Sequence, residues 1–488
     1  MNITRSPLST DRLRELDADF REFGVQPLPL LLAHTQVLER LRQWCRRALA
    51  HDHLVAVASH LTERVGADLA GLEALGLPTD ILQVFPGWRQ GSRRGFRPSG
   101  LGLRPPPAGA AEPIGTLRLQ LSPASGTIPY AFTLLRDLVR RVDSSVRFVV
   151  VVEPGADLRA LRRLVRTLLS PSAPDRVRFV ELRSVSVFAQ DNARPARDSD
   201  GRPAILIPRA FGRGSARAED ELVPEEAERA FGVPIVRSRL VWQGGNIVHD
   251  NDHCLVGVDT IAENMVRFGL TAGETKALLS ADLGVDVTLV GDLRRAKFDH
   301  VKEMMVPSGQ PAFHIDLDVA LLGRFGRHRR PCALVADPVR GLDALRSVLA
   351  KRSLFTGSFL PASQAKQYVR AEYEAYARKR YRSLLGYAAT LERLGYRVVG
   401  MPDLRIDPAE NVFASTNLDF GYCNILPGRR RGRPAVHYLP WGIPALDLAA
   451  AARFRAAGVQ PVSVGTPAVA NALMRLQGGL HCFCGALA

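Results

Sequence analysis

Apolar positions along the chain follow two regimes that meet near Ile114. Before it, Val37 to Ala50 and Leu54 to Leu75 place apolar residues three and four apart (Leu38, Leu41, Cys45, Leu49), the period of an amphipathic helix. After it, short apolar runs alternate with amphipathic stretches. Thr116–Leu121, Arg147–Val152 and Arg176–Leu182 read as strands, separated by helices at Tyr130 to Val142 and Asp157 to Leu169. Further strands are expected at Ala204–Ile207, Ser238–Val241, Ile247–Val248, His253–Val258 and Val287–Val290. Ala312 to Leu322 alternates and then turns apolar, as a buried strand would. Towards the C-terminus, helices at Ser363 to Leu394 and Ala445 to Ala457 are interleaved with strands at Arg397–Val399, Phe420–Leu426, Ala435–Leu439 and Gln460–Val464. Strands and helices alternating at this spacing predict an α/β domain.

These patterns divide the chain into a helical N-terminal domain over residues 1–92, a linker over 93–113 and an α/β domain over 114–488. The linker is rich in Arg, Gly and Pro, with Pro105-Pro106-Pro107 at its centre, and such composition favours an extended connection. The helical domain carries no recognisable chemistry and reads as a packing or recognition module.

Composition narrows the class. Of 488 residues 46% are hydrophobic, an ordinary globular share. No apolar run reaches the roughly 20 residues that span a bilayer, and Met1 to Phe20 lacks the apolar core of a signal peptide. The expectation is a soluble, cytoplasmic protein without a membrane partner. Six scattered cysteines do not form a disulfide framework. The net charge of +16 favours acidic partners, but the arginines are spread along the chain and no nucleic-acid-binding signature accompanies them. Arg429-Arg430-Arg431-Gly432-Arg433 therefore reads as a solvated basic turn and nucleic acid is not expected as a partner.

Four stretches carry candidate chemistry. Gly478-Gly479-Leu480-His481-Cys482-Phe483-Cys484 places a cysteine beside glycines near what reads as an accessible terminus. A thiolate near neutral pH needs a base or a positive neighbour, and histidine is the usual one. His481 adjoins Cys482, but adjacent side chains often diverge, so His314 of His314-Ile315-Asp316 is the better candidate. Two residues apart on a strand point to one face, which would pair His314 with Asp316. Phe188-Ala189-Gln190-Asp191-Asn192 follows a strand end and adds a second carboxylate. Trp242-Gln243-Gly244-Gly245-Asn246 supplies a tight turn. Two carboxylates facing a Cys/His pair suit a planar cation held by paired hydrogen bonds, and guanidinium is such a cation. Taken singly, a His-x-Asp is more often structural and Asp191 could be a turn residue. Cys482, Cys484 and His481 lack a fourth ligand at zinc-site spacing, so no metal is expected. A Gly-x-Ser-x-Gly elbow for serine chemistry is missing.

This ordered set resembles the guanidino-group-modifying enzymes, which include arginine, agmatine and peptidylarginine deiminases, dimethylargininases and amidinotransferases. Gln190-Asp191 is similar to the substrate-binding aspartate motif in its peptidylarginine deiminase form. Trp242 to Asn246 is similar to the Glu-Gly-Gly-Asn segment of agmatine deiminases, His314-Ile315-Asp316 to the catalytic His-x-Asp, and Gly478 to Cys482 to the nucleophile motif. Tyr422-Cys423-Asn424 resembles the strand region upstream of that cysteine. The resemblance runs from about residue 115 to the end.

It implies a five-bladed α/β propeller of β-β-α-β units around a polar centre. It also implies Cys482 as nucleophile, His314 as acid and base, and Asp191 and Asp316 as holders of the guanidinium, with no cofactor. Gln190, Trp242, Asn246 and Arg209 are the further substrate-binding candidates, with Arg213 a looser match beside Arg209. Gln243 stands where many relatives have Glu, and no calcium-ligand set is evident. The expected activity is hydrolysis of arginine in peptides or proteins to citrulline and ammonia. The alternatives are deimination of agmatine or free arginine, amidino transfer to an amine, or a non-catalytic binding protein on the same fold. Cys484 is the lesser candidate for the nucleophile.

Overall fold

Five of the sheets among the described residues share one arrangement, an antiparallel edge followed by a parallel step. The computed structural model describes residues 101–488 apart from 122–127, 154, 169–175, 183–185, 210–222, 224–231, 300–303, 307–308, 327–329, 350–365, 367–368, 405–420, 475–477 and 488. The expected helices Val37 to Ala50 and Leu54 to Leu75, the helical domain and Arg213 lie outside the described residues.

The first strands are β1 (Thr116–Leu121), β2 (Arg147–Val152) and β3 (Val177–Glu181), parallel to one another, with α1 (Ile128–Arg141) and α2 (Ala156–Leu168) as the crossovers between them. Then come β4 (Arg194–Arg197), β5 (Pro203–Ile207) and β6 (Ile235–Arg237), followed by β7 (Ile247–His249), β8 (Cys254–Gly257) and β9 (Val287–Val290). The last two are bridged by α3 (Val258–Phe268) and α4 (Ala272–Leu283). A two-stranded ribbon, β10 (Lys297–Asp299) and β11 (Met304–Val306), leads to β12 (Val319–Gly323), β13 (Cys332–Asp337) and β14 (Arg397–Pro402). Their parallel step is spanned by α5 (Pro338–Leu349) and α6 (Ala371–Arg393). The chain ends with β15 (Leu426–Arg430), β16 (Arg433–Tyr438), α7 (Pro444–Ala457), β17 (Gln460–Ser463), α8 (Pro467–Met474), α9 (Leu480–Phe483) and β18 (Cys484–Leu487).

Among the described residues, five sheets have three or four strands. In the orders β4-β5-β6, β7-β8-β9, β12-β13-β14 and β15-β16-β17 the first pair is antiparallel and the second parallel. The fifth, β18-β1-β2-β3, repeats that order with the strand from the far end of the chain as its antiparallel edge. Parallel neighbours need a crossover connection, and the amphipathic helices supply it where the sequence places them. All five antiparallel edge strands line one cavity of about 280 Å3, to which they contribute Arg194, Val248, Val319, Leu426 and Ala486. The fold is thus a mixed α/β assembly of small sheets. No helix among the described residues is long and apolar enough to cross a membrane.

Four expectations change. Residues 101–113 are packed rather than an open linker: Ala110 is fully buried and donates its N–H to the Leu322 carbonyl at 2.8 Å, and Arg104 bridges Arg197. Ser238–Val241 is not a strand. There the Ser238 hydroxyl and the Arg239 Nε–H both donate to Asp282, at 2.7 and 2.8 Å, and this side-chain anchoring replaces a ladder. Gly421 to Ile425 is irregular, and the strand begins at Leu426. Ala312 to Leu322 is a strand only from Val319, because a turn of 3-10 helix, Ile315–Leu317, interrupts it.

Candidate functional site

The loop that carries Asp191 is held by β1, about 70 residues earlier in the chain. In β1, Leu117, Leu119 and Leu121 enter the apolar core, while Arg118 and Gln120 occupy the opposite face and are also buried. Arg118 donates to the Ala189 carbonyl and the Asn192 Oδ1, and Asn192 Nδ2 donates to Gln120 Oε1 at 3.2 Å. The alternation that predicts a strand thus also builds a polar floor for the loop. Gln190 N–H donates to the Cys482 carbonyl at 3.1 Å, and the Asp191 carbonyl accepts from Gly244 N–H at 3.1 Å.

The two central glycines of Trp242 to Asn246 exist because the loops touch. A Cβ on Gly244 would lie 1.9 Å from the Gln190 carbonyl oxygen, and one on Gly245 would lie 2.4 Å from His314 Nδ1. Only a hydrogen side chain fits. Asn246 Oδ1 accepts from Gln310 Nε2 at 2.8 Å and from Ile315 N–H at 3.3 Å, so it fixes the turn that bears His314 and Asp316. Arg194, buried behind it, donates to the Gly244 and Ile247 carbonyls at 3.1 and 2.6 Å.

His314 and Asp316 do not share a strand face. His314 is extended, with φ −126° and ψ 139°, and Asp316 sits in the 3-10 turn that follows. The turn rather than the pleat brings them together. The imidazole places Nε2 2.5 Å from Gln243 Oε1 and Nδ1 3.8 Å from Asp191 Oδ1.

Cys482 is not at an accessible terminus. It lies in α9, 3% exposed, and the chain continues into β18 against β1. Its Sγ is 3.5 Å from Asp316 Oδ2 and 3.2 Å from Asn424 Nδ2. His481, beside it, donates from Nδ1 to Asp316 Oδ2 at 2.8 Å. A Cβ on Gly478 would meet Phe188 at 2.5 Å and one on Gly479 would meet Asn424 Oδ1 at 2.6 Å, so both glycines let the Cys482 turn pack against its neighbours.

The electrostatics are those of a site built for a cation. Burial pushes the Cys482 thiol far above its ordinary value, and the Asp316 and Asp191 carboxylates add to the effect, while hydrogen bonds from the Gly479 backbone and from Asn424 oppose it. Burial also pushes Asp316 upward, but the hydrogen bond from His481, the charges of His481 and His314 and the Cys482 contact outweigh it and hold the carboxyl low. Asp316 Oδ1 is buried and accepts no hydrogen bond among the described residues. His314, Asp316 and Cys482 are also the one group of possible metal ligands among the described residues, with donor atoms within 4.8 Å of one another. Three donors leave a tetrahedral ion one short.

Four of the residues singled out in the sequence converge, namely Asp191, His314, Asp316 and Cys482. The others do something different. Trp242 is fully buried in an apolar cluster with Leu240, Ile247 and Val256, and supports the glycine turn from behind. Asn246 accepts from the Ile315 N–H, and Gln190 donates its own N–H to the Cys482 carbonyl. Arg209 pairs its N–H with the Leu240 carbonyl at 2.9 Å and lays its guanidinium over Phe268, 5.5 Å from the ring centre. Cys484 is buried in β18, and burial raises its thiol. Three residues escaped the sequence reading: Asn424, His481 as a partner of Asp316, and Gln243 as the partner of His314. The signal for Asn424 was only its place in Tyr422-Cys423-Asn424.

No protein-family model and no curated sequence matches the chain. Solved structures do. The C. jejuni agmatine deiminase is similar over 79% of this chain and 96% of its own, at 13% identity and a TM-score of 0.50. A provisionally named agmatine deiminase is similar over 79% and 96%, at 14% identity and a TM-score of 0.51. A provisionally named peptidyl-arginine deiminase is similar over 79% and 99%, at 12% identity and a TM-score of 0.50. The chain therefore shares the fold of these solved structures.

Proposed function

We propose that the protein is a cysteine-dependent guanidine hydrolase whose five sheets stand as blades around one centre, and that its substrate is arginine in a peptide or protein. One observation carries the reading: a thiol, an imidazole and two carboxylates from three separate segments meet in a buried site. The Asp316 and Asp191 carboxylates both act on the thiol. A guanidinium fits there because each carboxylate accepts paired N–H donors, and Asp316 Oδ1 has an empty acceptor position among the described residues.

The chemistry balances without a cofactor. The cation between Asp191 and Asp316 offsets the carboxylate charge that opposes thiolate formation. Cys482 Sγ attacks the central carbon and forms the C–S bond. Protonated His314 donates to one departing nitrogen, the C–N bond breaks and ammonia leaves. The proton that His314 gives up is the one it took from the Cys482 thiol, so the imidazole is left neutral. Neutral His314 then takes a proton from water, whose oxygen bonds to the same carbon. The C–S bond breaks and the thiol is restored. Guanidinium plus water thus gives a ureido group plus ammonium, and peptidyl arginine gives peptidyl citrulline.

Gln190 before Asp191, and neutral Gln243 against His314 where small-molecule enzymes carry Glu, support the peptidyl substrate. A second reading, deimination of agmatine, is supported by the fold of the C. jejuni enzyme. One assay separates them: ureido product from a blocked arginine peptide, free arginine and agmatine in parallel. Product from the peptide alone supports the proposal. Product from the small compounds alone replaces it with the second reading, and no product from any overturns hydrolysis and leaves amidino transfer or a binding role.

A further inference from the structure

Asn424 sits behind the nucleophile with every hydrogen-bonding position of its amide used. Oδ1 accepts the backbone N–H groups of His481 and Cys482, at 2.8 and 3.2 Å. Nδ2 donates to the Asp316 carbonyl at 3.4 Å and to Cys482 Sγ at 3.2 Å. A carboxamide has two acceptor positions and two N–H donors, so the count is complete. The orientation follows from chemistry: a flipped amide would set its NH2 against two backbone donors. The N–H must therefore face the sulfur.

We infer that Asn424 is the positioning residue that makes the Cys482 thiol ionisable, a role that rests on the reading of Cys482 as nucleophile. Burial and two carboxylates oppose the thiolate, the Gly479 backbone N–H and Asn424 favour it, and Asn424 is the one side chain that donates to Sγ among the described residues. The thiol S–H points to Asp316 Oδ2 and the amide N–H points at the sulfur, so loss of the proton leaves an anion that already accepts a hydrogen bond. The same amide fixes the backbone N–H groups of both residues around the nucleophile. Asn424 is buried, and its side chain meets the position that a Cβ on Gly479 would occupy, so the glycine is what allows the approach.

Two variants separate donation from scaffolding. Asn424→Asp keeps an acceptor for both backbone N–H groups but presents a carboxylate to the sulfur. Asn424→Leu removes both functions. The readout is the rate of iodoacetamide alkylation at Cys482 from pH 6 to 10, followed by mass spectrometry of the peptide containing it, with thermal melting alongside. The expected result is alkylation at pH 8 slower by tenfold or more in Asn424→Asp, its pH midpoint shifted up by at least one unit and its melting close to wild type. Asn424→Leu should show the same loss with a lower melting temperature. Wild-type alkylation across the range in Asn424→Asp, with loss only in Asn424→Leu, would overturn the inference and leave Asn424 a backbone scaffold. Alkylation needs no guanidino substrate, so a normal Cys482 profile in an enzyme that forms no ureido product would fail the hydrolase reading alone.

Discussion

Asp316 Oδ2 is shared between two groups of the same terminal turn: it accepts from His481 Nδ1 at 2.8 Å and lies 3.5 Å from Cys482 Sγ. Adjacent side chains of the nucleophile loop thus converge on one carboxylate, which explains how a fully buried Asp316 stays ionised.

The His481 contact sets the acid side of the pH profile. Burial alone raises Asp316, and His481 is the first of the opposing causes. His481→Leu should therefore raise the Asp316 pKa, so that cation binding fades at a higher pH as acid is added. The expected outcome is an acid limb of kcat/KM moved up by about one unit or more, with KM rising below it. The stability sign agrees: a carboxyl held below its unfolded value contributes stability above that value and loses it as pH falls. His481→Leu should lose less stability on acidification than wild type. An unchanged acid limb would remove His481 from the ionisation of Asp316.

Cys482→Ala should abolish turnover while melting within a few degrees of wild type, because the site is polar and the lost sulfur is small. Cys484→Ala should keep most activity. It lies two residues on, within the strand paired to β1, where Leu119 is its ladder partner. Its truncation removes buried volume at a cost of about 1 kcal/mol, far from the several kcal/mol in barrier that loss of a nucleophile represents. Measured kcat for the two variants decides it, and the opposite ranking would move the chemistry by one strand.

How much of this was legible varies with the range of the interaction. Thr116–Leu121 and Arg147–Val152 match the expected strands to the residue, since local alternation and apolar runs decide them. Asp191, His314, Asp316 and Cys482 were found because residue type and local motif carry them. His314 and Asp316 were placed on a pleat when a 3-10 turn holds them, because Asn246, 69 positions before Ile315, fixes that turn. The burial of Cys482 was missed for the same reason: the strand that covers it pairs with residues more than 360 positions earlier. Periodicity reports a residue's own helix or strand and is silent on which distant loop comes to sit against it.

Asp259 makes the alkaline side of stability testable. It opens α3, is 3% exposed, and burial pushes its carboxyl up to about 7, with Glu263 adding to the rise and the Gly309 hydrogen bond opposing it. A folded-state value above the unfolded one means that the folded protein binds the proton more tightly. Stability then falls as pH rises from about 4 to about 7 and is flat beyond. A shift of that size corresponds to at most roughly 4 kcal/mol. Asp259→Asn keeps the acceptor for Gly309 and removes the titration. It should melt higher than wild type at pH 8, with an advantage of about 1–3 kcal/mol that shrinks towards pH 4. An advantage equal at both pH values would assign the effect to packing instead.

The terminal strand gives the sharpest test of the architecture. Cys484, Gly485, Ala486 and Leu487 pair with Leu119, Arg118, Leu117 and Thr116, which are the same β1 residues whose other edge holds β2. Arg118, between them, also holds the Asp191 loop through Ala189 and Asn192. Removal of Cys484 and everything after it would leave the inner edge of β1 unpaired, free the turn that carries Cys482, and open the cavity lined by Cys484 and Ala486. The expected outcome is a melting temperature lower by about 5 °C or more, together with loss of at least a hundredfold in kcat. If the truncated chain melted lower but kept its activity, the Asn424 and Asp316 contacts would be sufficient to place Cys482 and the strand would serve stability alone. Loss of activity without loss of stability would instead make β18 a positioning element for the thiol.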